Sequence, residues 1–319
     1  GVECYKCKCR TEEQAQTGNW RVRASLGNNL FNKTMKIETV VPNRLRIDLQ
    51  FPGEQLFVQD MPLKLGLNSQ WLHGAIASGL RSEVTMRLIP TRTRFGRFDN
   101  FNFDDTARQF RSEKTTVFEG ELDREGNAKF RADLRPSTAS PGMLTASFMS
   151  KVYEQGGAFS THNARIPFHP FENYVGIQLP KGDASRNMLL TDKKHKVEIA
   201  SLNNKGEQVS LEQVKVTLYK VNWKWWWDQS GDNLAQYASA YYNQHIQQDT
   251  ISTKDGRGSW EFEIKYPAWG RYMVRACDLQ GKHCTGSIFY IDWPAWAGSA
   301  REQRGVGANV LSFSADKPN

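Results

Sequence analysis

No apolar run in this sequence approaches the ~20 residues that a membrane-crossing helix requires. The first ten residues, GVECYKCKCR, lack the apolar core of a signal peptide. Histidine is scarce, with 6 in 319 residues, and no two stand at a metal-ligand spacing such as H-x-x-x-H. There is no G-x-S-x-G, no phosphate loop and no dinucleotide fingerprint. Acid pairs such as Asp104-Asp105 fall in loops with nothing to tune them. These absences predict no enzyme, no catalytic residue, no metal and no cofactor. Cysteine is also sparse, with 5 residues. Cys4, Cys7 and Cys9 share one run with no fourth cysteine close by, so they read as small apolar residues in a strand rather than as zinc or iron–sulfur ligands.

What remains is a globular composition, 39% hydrophobic and 24% charged, with a formal net charge of +8. That charge permits acidic partners without requiring them. The densest basic stretch, Arg92-Thr93-Arg94-Phe95-Gly96-Arg97-Phe98, mixes bases and aromatics as nucleic-acid binders do. Asp99, Asp104 and Asp105 follow closely, so it reads as a solvated loop and not as a nucleic-acid site.

Repetition is the strongest signal. Gly18-Asn19-Trp20-Arg21-Val22, Gly142-Met143-Leu144-Thr145-Ala146 and Gly270-Arg271-Tyr272-Met273-Val274 each launch an alternating strand from a glycine. Later strands end in proline at Pro42, Pro170 and Pro294, and alternating runs follow at Leu45–Leu49, Val175–Leu179 and Val310–Phe313. The turns Asp123–Gly126 and Asp255–Gly258 precede strands at Phe130–Leu134 and Trp260–Ile264, and Val84-Thr85-Met86 is matched by Val216-Thr217-Leu218. The period is roughly 125–130 residues, the size of a domain. Many short strands with Gly/Pro turns predict an all-β chain of tandem antiparallel β-sandwiches, with one or two short helices in insertions. The expected division is the end of one sandwich (1–42), two whole ones (43–170 and 171–297), and a linker with the first strand of another (298–319). Such a chain is expected to be a piece of a longer array.

Two places carry candidate chemistry. Cys277 and Cys284 flank a Gly-containing turn at two strand ends. A cross-turn disulfide fits there and would add ~2–3 kcal/mol if unstrained, implying an oxidising compartment; two neighbouring free thiols are the alternative. The run Trp223-Lys224-Trp225-Trp226-Trp227-Asp228 is the other. The apolar phase of its strand flips after Leu218, so that Tyr219, Val221, Trp223, Trp225 and Trp227 share a face, as a bulge would produce, while Trp226 points away. Asp232 is placed to cap a short helix beyond it. The counterpart in the preceding unit is Pro90–Asp105, with Phe95, Phe98, Phe101 and Phe103. Trp223, Trp225, Trp226 and Trp227 are therefore a candidate contact surface for glycan or peptide, or a brace packed within this sandwich or against its neighbour.

The stretches TGNWRVRASLGNNLF, PNRLRIDL, LNSQWLHGAIASGLRSEVTMRL, YVGIQLPKG, LLTDKKHKVEI, VTLYKVNWKWWWDQSG, GRYMVRACDLQGKHCTG, YIDWPAWAGSA and NVLSFSADKPN are long and ordered. Together they resemble the macroglobulin-like domains of bacterial alpha-2-macroglobulins. The resemblance implies fibronectin-III-like sandwiches that form the frame of an envelope protein, usually periplasmic, whose lipid anchor, if any, belongs to the parent. It also implies that target proteases are met through the full-length protein, which traps them after bait cleavage, and that the nearest partners are neighbouring macroglobulin-like domains. The family's thioester order, C-x-E-Q, is not met. Cys9 has its glutamine five residues on at Gln14, and Cys277 is followed by Asp278-Leu279-Gln280 without the glutamate. A surface adhesion or glycan-binding array of immunoglobulin-like modules is the rival that the fold alone permits.

Overall fold

The computed structural model describes residues 18–26, 29–37, 43–183, 186, 188–221 and 245–293. Cys4, Cys7, Cys9, the tryptophans Trp223, Trp225, Trp226 and Trp227, the helix expected from Asp232 and the strand at Val310–Phe313 lie outside the described residues. Gly18–Leu26 (β1) and Asn29–Ile37 (β2) pair antiparallel as a hairpin.

Two β-sandwiches follow, each with one sheet of three strands and one of five. The first joins Leu45–Gln50 (β3), Leu63–Trp71 (β5) and Asn127–Ala132 (β8) in its smaller sheet. Its larger sheet runs Leu56–Phe57 (β4), Phe159–His169 (β10), Leu144–Tyr153 (β9), Arg81–Pro90 (β6) and Lys114–Glu121 (β7). The second repeats this order. Asn173–Gln178 (β11), Lys194–Asn203 (β13) and Arg257–Glu263 (β16) form the smaller sheet. Leu189–Leu190 (β12), Cys284–Asp292 (β18), Gly270–Asp278 (β17), Val214–Val221 (β14) and His245–Ile251 (β15) form the larger.

The alternation in the sequence explains these faces. In β3, Leu45, Ile47 and Leu49 are buried while Arg46, Asp48 and Gln50 are exposed. They meet Leu63, Leu65 and Leu67 of β5 and, from the opposite sheet, Ala146 and Phe148 of β9 in one core. The second core is built alike from Val197 and Ile199, Val214, Val216 and Leu218, and Val274 and Ala276. The turn at Asp123 is locally encoded. Its carboxylate accepts the N–H groups of Glu125 and Asn127 at 2.9 and 2.8 Å, and Gly126 has φ +77°. A Cβ at Gly126 would stand 2.5 Å from the Ser69 carbonyl oxygen, so only glycine fits.

The sheets differ from the purely antiparallel expectation in one respect. β4 pairs parallel with β10, and β12 pairs parallel with β18. The cause is the path of the chain. The Ser160 hydroxyl accepts the N–H of Leu45 near the start of β10, and Leu56 lies beside Phe168 near its end. The segment from β3 to β4 therefore runs alongside β10 in the same direction.

The phase change expected after Leu218 is present. The register of β14 against β15 shifts between Leu218 and Tyr219. Leu218 faces the sandwich core, whereas Tyr219 and Val221 pack with Met273 and Ala107 on the other side of the sheet.

Phe148 is buried in the first core, its ring centroid 5.2 Å from that of Phe51. Phe148→Ala is expected to cost ~3–5 kcal/mol, and the exposed neighbour Met149→Ala less than ~0.5 kcal/mol. Urea denaturation of the two variants measures the contrast.

Candidate functional site: the joint between the sandwiches

The connection between β6 and β7, residues 91–113, leaves the first sandwich and lies against the second as an arm. Its base is fixed at home. The Asp104 carboxylate accepts the Thr93 N–H at 3.0 Å, and the Thr93 hydroxyl accepts the Met143 N–H at 2.7 Å. Burial raises the pKa of Asp104, while the hydrogen bonds from Thr93 oppose the shift. A Cβ at Gly142 would fall 2.3 Å from that carboxylate, so the base closes only over glycine.

Beyond the base, Phe95, Phe98, Phe101 and Phe103 are buried with Phe171, Tyr174, Ala200 and Leu202 of the second unit. Phe95 meets Phe103 edge-on at 5.0 Å and Tyr174 at 5.4 Å. Phe103 lies on the backbone at Gly176, where a Cβ would stand 2.5 Å from its ring. The Arg257 guanidinium covers Phe98 and Phe101 at 4.7 and 5.3 Å. Arg92, Arg94 and Arg97 face solvent between the buried residues. The solvated-loop expectation for this stretch is thus corrected: its aromatic residues are core, shared by two domains.

The backbone of the arm stitches two strand edges. Asn102 exchanges N–H···O bonds of 2.8 and 2.9 Å with Ile177 of β11, and Gly286 of β18 donates to the Asp104 carbonyl at 3.0 Å. The Asn102 side chain donates to the Gly286 carbonyl at 2.9 Å, and the Thr285 hydroxyl donates to the Asn102 carbonyl at 2.7 Å. Edge groups that would otherwise seek another partner are satisfied in this way.

Asp105 sits at the centre, its side chain 0% exposed. Arg275 of β17 donates to it from Nη2 at 2.7 Å and from Nε at 3.0 Å, and Arg108 approaches at 3.3 Å. Its other oxygen accepts the Ala107 N–H at 3.1 Å. The expectation that nothing tunes these acids is corrected for Asp104, whose pKa burial raises, and Asp105 proves to have two arginine partners. The arginine that matters is distant in sequence, which is why local reading missed it.

A second buried group completes the joint. The Tyr174 ring lies between His169 and His283, with centroids 5.7 and 4.7 Å away. The Val175 N–H donates to His283 Nδ1 at 3.0 Å. Burial pushes the His169 imidazole down to about 4. Burial, aided by the Arg108 charge, pushes His283 down to about 3. Burial also pushes the Tyr174 phenol upward. The sequence offered no pattern for these histidines; the four phenylalanines in an unusually long strand connection were the available signal.

The candidate surface Trp223, Trp225, Trp226 and Trp227 lies outside the described residues. Cys277 and Cys284 are register partners across β17 and β18, with their sulfurs 2.16 Å apart. Among the described residues no His/Cys/Asp/Glu group is arranged to hold a metal, and no helix is long and apolar enough to cross a membrane.

Two family models match in tandem. Residues 43–170 match the bacterial alpha-2-macroglobulin MG5 domain, and residues 176–293 match bacterial macroglobulin domain 6. The chain belongs to the bacterial alpha-2-macroglobulin family. Curated relatives named alpha-2-macroglobulin include one from Escherichia coli, 23% identical over 280 residues, which covers 82% of this chain and 16% of that protein. Another, from Pasteurella multocida, is 24% identical over 255 residues, covering 75% of this chain and 13% of that protein. The trypsin-activated alpha-2-macroglobulin of Escherichia coli has the same fold over 90% of this chain and 19% of its own, at 20% identity and a TM-score of 0.53. Its native conformation aligns over 88% of this chain and 18% of its own, at 20% identity and a TM-score of 0.52. This macroglobulin segment therefore spans less than a fifth of the curated relatives it matches.

Two outcomes are expected of the joint. Asp105→Asn leaves the largely buried Arg275 and Arg108 without their carboxylate and should cost ~3–5 kcal/mol, whereas Asp105→Leu with Arg275→Met, which still strands Arg108, should recover only part of the loss. Guanidinium denaturation tests this; a cost below ~1 kcal/mol for the single variant contradicts it. Acid should also weaken the joint. Both histidines are neutral when buried, with folded-state values below the ordinary 6.5, so their stabilisation is complete above that pH. It falls by about 1.4 kcal/mol per histidine per pH unit below 6.5, until each reaches its own folded value. His169→Leu should flatten part of this slope between pH 6.5 and 4 in denaturation curves taken along the series.

Proposed function

We propose that this segment is frame, not catalyst, in a protease-trapping protein of the bacterial cell envelope. In this reading residues 1–42 end one macroglobulin-like domain, 43–170 and 171–297 are whole domains, and 298–319 form a linker and the first strand of another. The segment makes and breaks no bonds of its own. Target proteases meet the whole protein, and this part contacts the neighbouring domains. The parent works in the periplasm or elsewhere in the envelope.

The joint is the observation that supports the reading most. A frame that relays a change of shape needs domains that move together, and a packed interface achieves that where an ordinary linker does not. Here the two domains share an aromatic core, a buried ion cluster and paired edges.

The test uses the parent protein and trypsin. Trypsin treated with the parent should lose activity on a large protein substrate and keep it on a small chromogenic peptide. The 319-residue segment should leave both activities unchanged. Gly176→Ala in the parent, which forces Phe103 off β11, should weaken the protection. Inhibition by the segment alone, or a parent that gives no protection, would overturn the proposal.

A further inference from the structure

We propose that Cys277 and Cys284 form a reducible disulfide that clamps the joint, so that a dithiol reductant loosens one sandwich from the other. The inference rests on the joint and is independent of the trapping role. The two cysteines close the loop Asp278–His283 between β17 and β18. That loop is one of the places where the second sandwich meets the arm. His283 at its end is fully buried against Phe171 and Tyr174, at 4.8 and 4.7 Å. The Lys282 carbonyl accepts Arg108 Nη2 at 3.0 Å. Thr285 and Gly286, immediately beyond Cys284, hold Asn102 and Asp104 of the arm.

Hydrogen bonds from the Asp278 N–H to the His283 carbonyl and from the Lys282 N–H to the Asp278 carbonyl, both 2.9 Å, close the loop, but two features work against its shape. Lys282 has φ +61°, in the left-handed region that side chains disfavour. The Asp278 Oδ2 is buried without a hydrogen-bond partner, and a Cβ at Gly281 would stand 2.4 Å from it. A crosslink at the root limits the alternatives open to such a loop.

The surroundings of the two sulfurs differ in a way that directs exchange. Cys277 is half-buried beside the exposed Leu279 and Gln280, whereas Cys284 is buried. Arg108 Nη2 donates to Cys284 Sγ at 3.2 Å. An adjacent guanidinium stabilises a thiolate, and the better-stabilised sulfur leaves faster. The reductant thiolate therefore bonds to Cys277 Sγ, and the S–S bond breaks with its electron pair going to Cys284. The second reductant thiol then gives up its proton, attacks the mixed disulfide and releases Cys277 as thiolate. Two electrons pass to the protein, the reductant becomes a disulfide, and its two protons are available to Cys277 and Cys284. Arg108, which also contacts Asp105, thus links the sulfur chemistry to the ion cluster.

Hydrogen exchange on the 319-residue chain tests this, with and without dithiothreitol and with reduction checked by alkylation and mass spectrometry. On reduction, the joint amides of Asn102, Val175, Ile177 and Gly286 should exchange about tenfold faster or more, while core amides such as Val84 and Ala146 keep their protection. Arg108→Gln should slow reduction of the bond by roughly tenfold. Unchanged exchange at the joint after complete reduction, or alkylation of both cysteines before any reductant, would sink the clamp. Reduction of Arg108→Gln at the wild-type rate would overturn the role given to Arg108.

Discussion

A carboxylate with no exposed surface, held between two arginines, is the constraint on which the joint depends. Asp105 belongs to the first sandwich and Arg275 to the second, with Arg108 closing the cluster from the arm itself. A buried charge tolerates no vacancy, because removing one partner strands the other in low dielectric. The arm must therefore reach one place at one register. That fixes Asn102 opposite Ile177, Phe103 over Gly176 and the Asp104 carbonyl at Gly286. Hydrophobic burial by the four phenylalanines supplies attraction without direction; the ion cluster and the edge hydrogen bonds supply the address.

The same arm explains how one fold serves twice with different fittings. Both sandwiches share strand order, the short parallel pair at one edge and the two-sheet core. The connection at the position of the arm is 91–113 in the first and 222–244 in the second, equal in length. In the first it carries phenylalanines that are buried on the next domain. In the second it carries the tryptophan run Trp223–Trp227, outside the described residues. The first connection can carry a joint without disturbing its core, because it lies outside the alternating strands that build the core.

Much of the fold was legible. Period-two alternation at Leu45–Leu49, Val214–Leu218 and Tyr272–Ala276 names both the strands and their buried faces. The turn at Asp123–Gly126 is written in side chains that bond their own backbone. Even the phase flip at Tyr219 was visible, since a bulge moves the apolar residues to odd positions. The joint was far less legible. Arg92–Phe98 reads as a solvated loop because Asp99, Asp104 and Asp105 follow its bases, and nothing local says that the phenylalanines between them meet Tyr174 and Leu202. His169 and His283 gave no signal, because a buried neutral imidazole is defined by its surroundings and not by its neighbours in sequence.

The sequence by itself determined that the chain is built of repeated β-sandwiches and which faces of their alternating strands turn inward. Those properties follow from local periodicity and turn chemistry, which need no distant partner. Tertiary structure alone decided that the arm is an interface, that Asp105 is ion-paired across domains and that the Cys277–Cys284 loop faces the joint. Each of those depends on bringing together residues some 170 positions apart, such as Asp105 and Arg275, and the sign of their energy is set only when water is excluded between them.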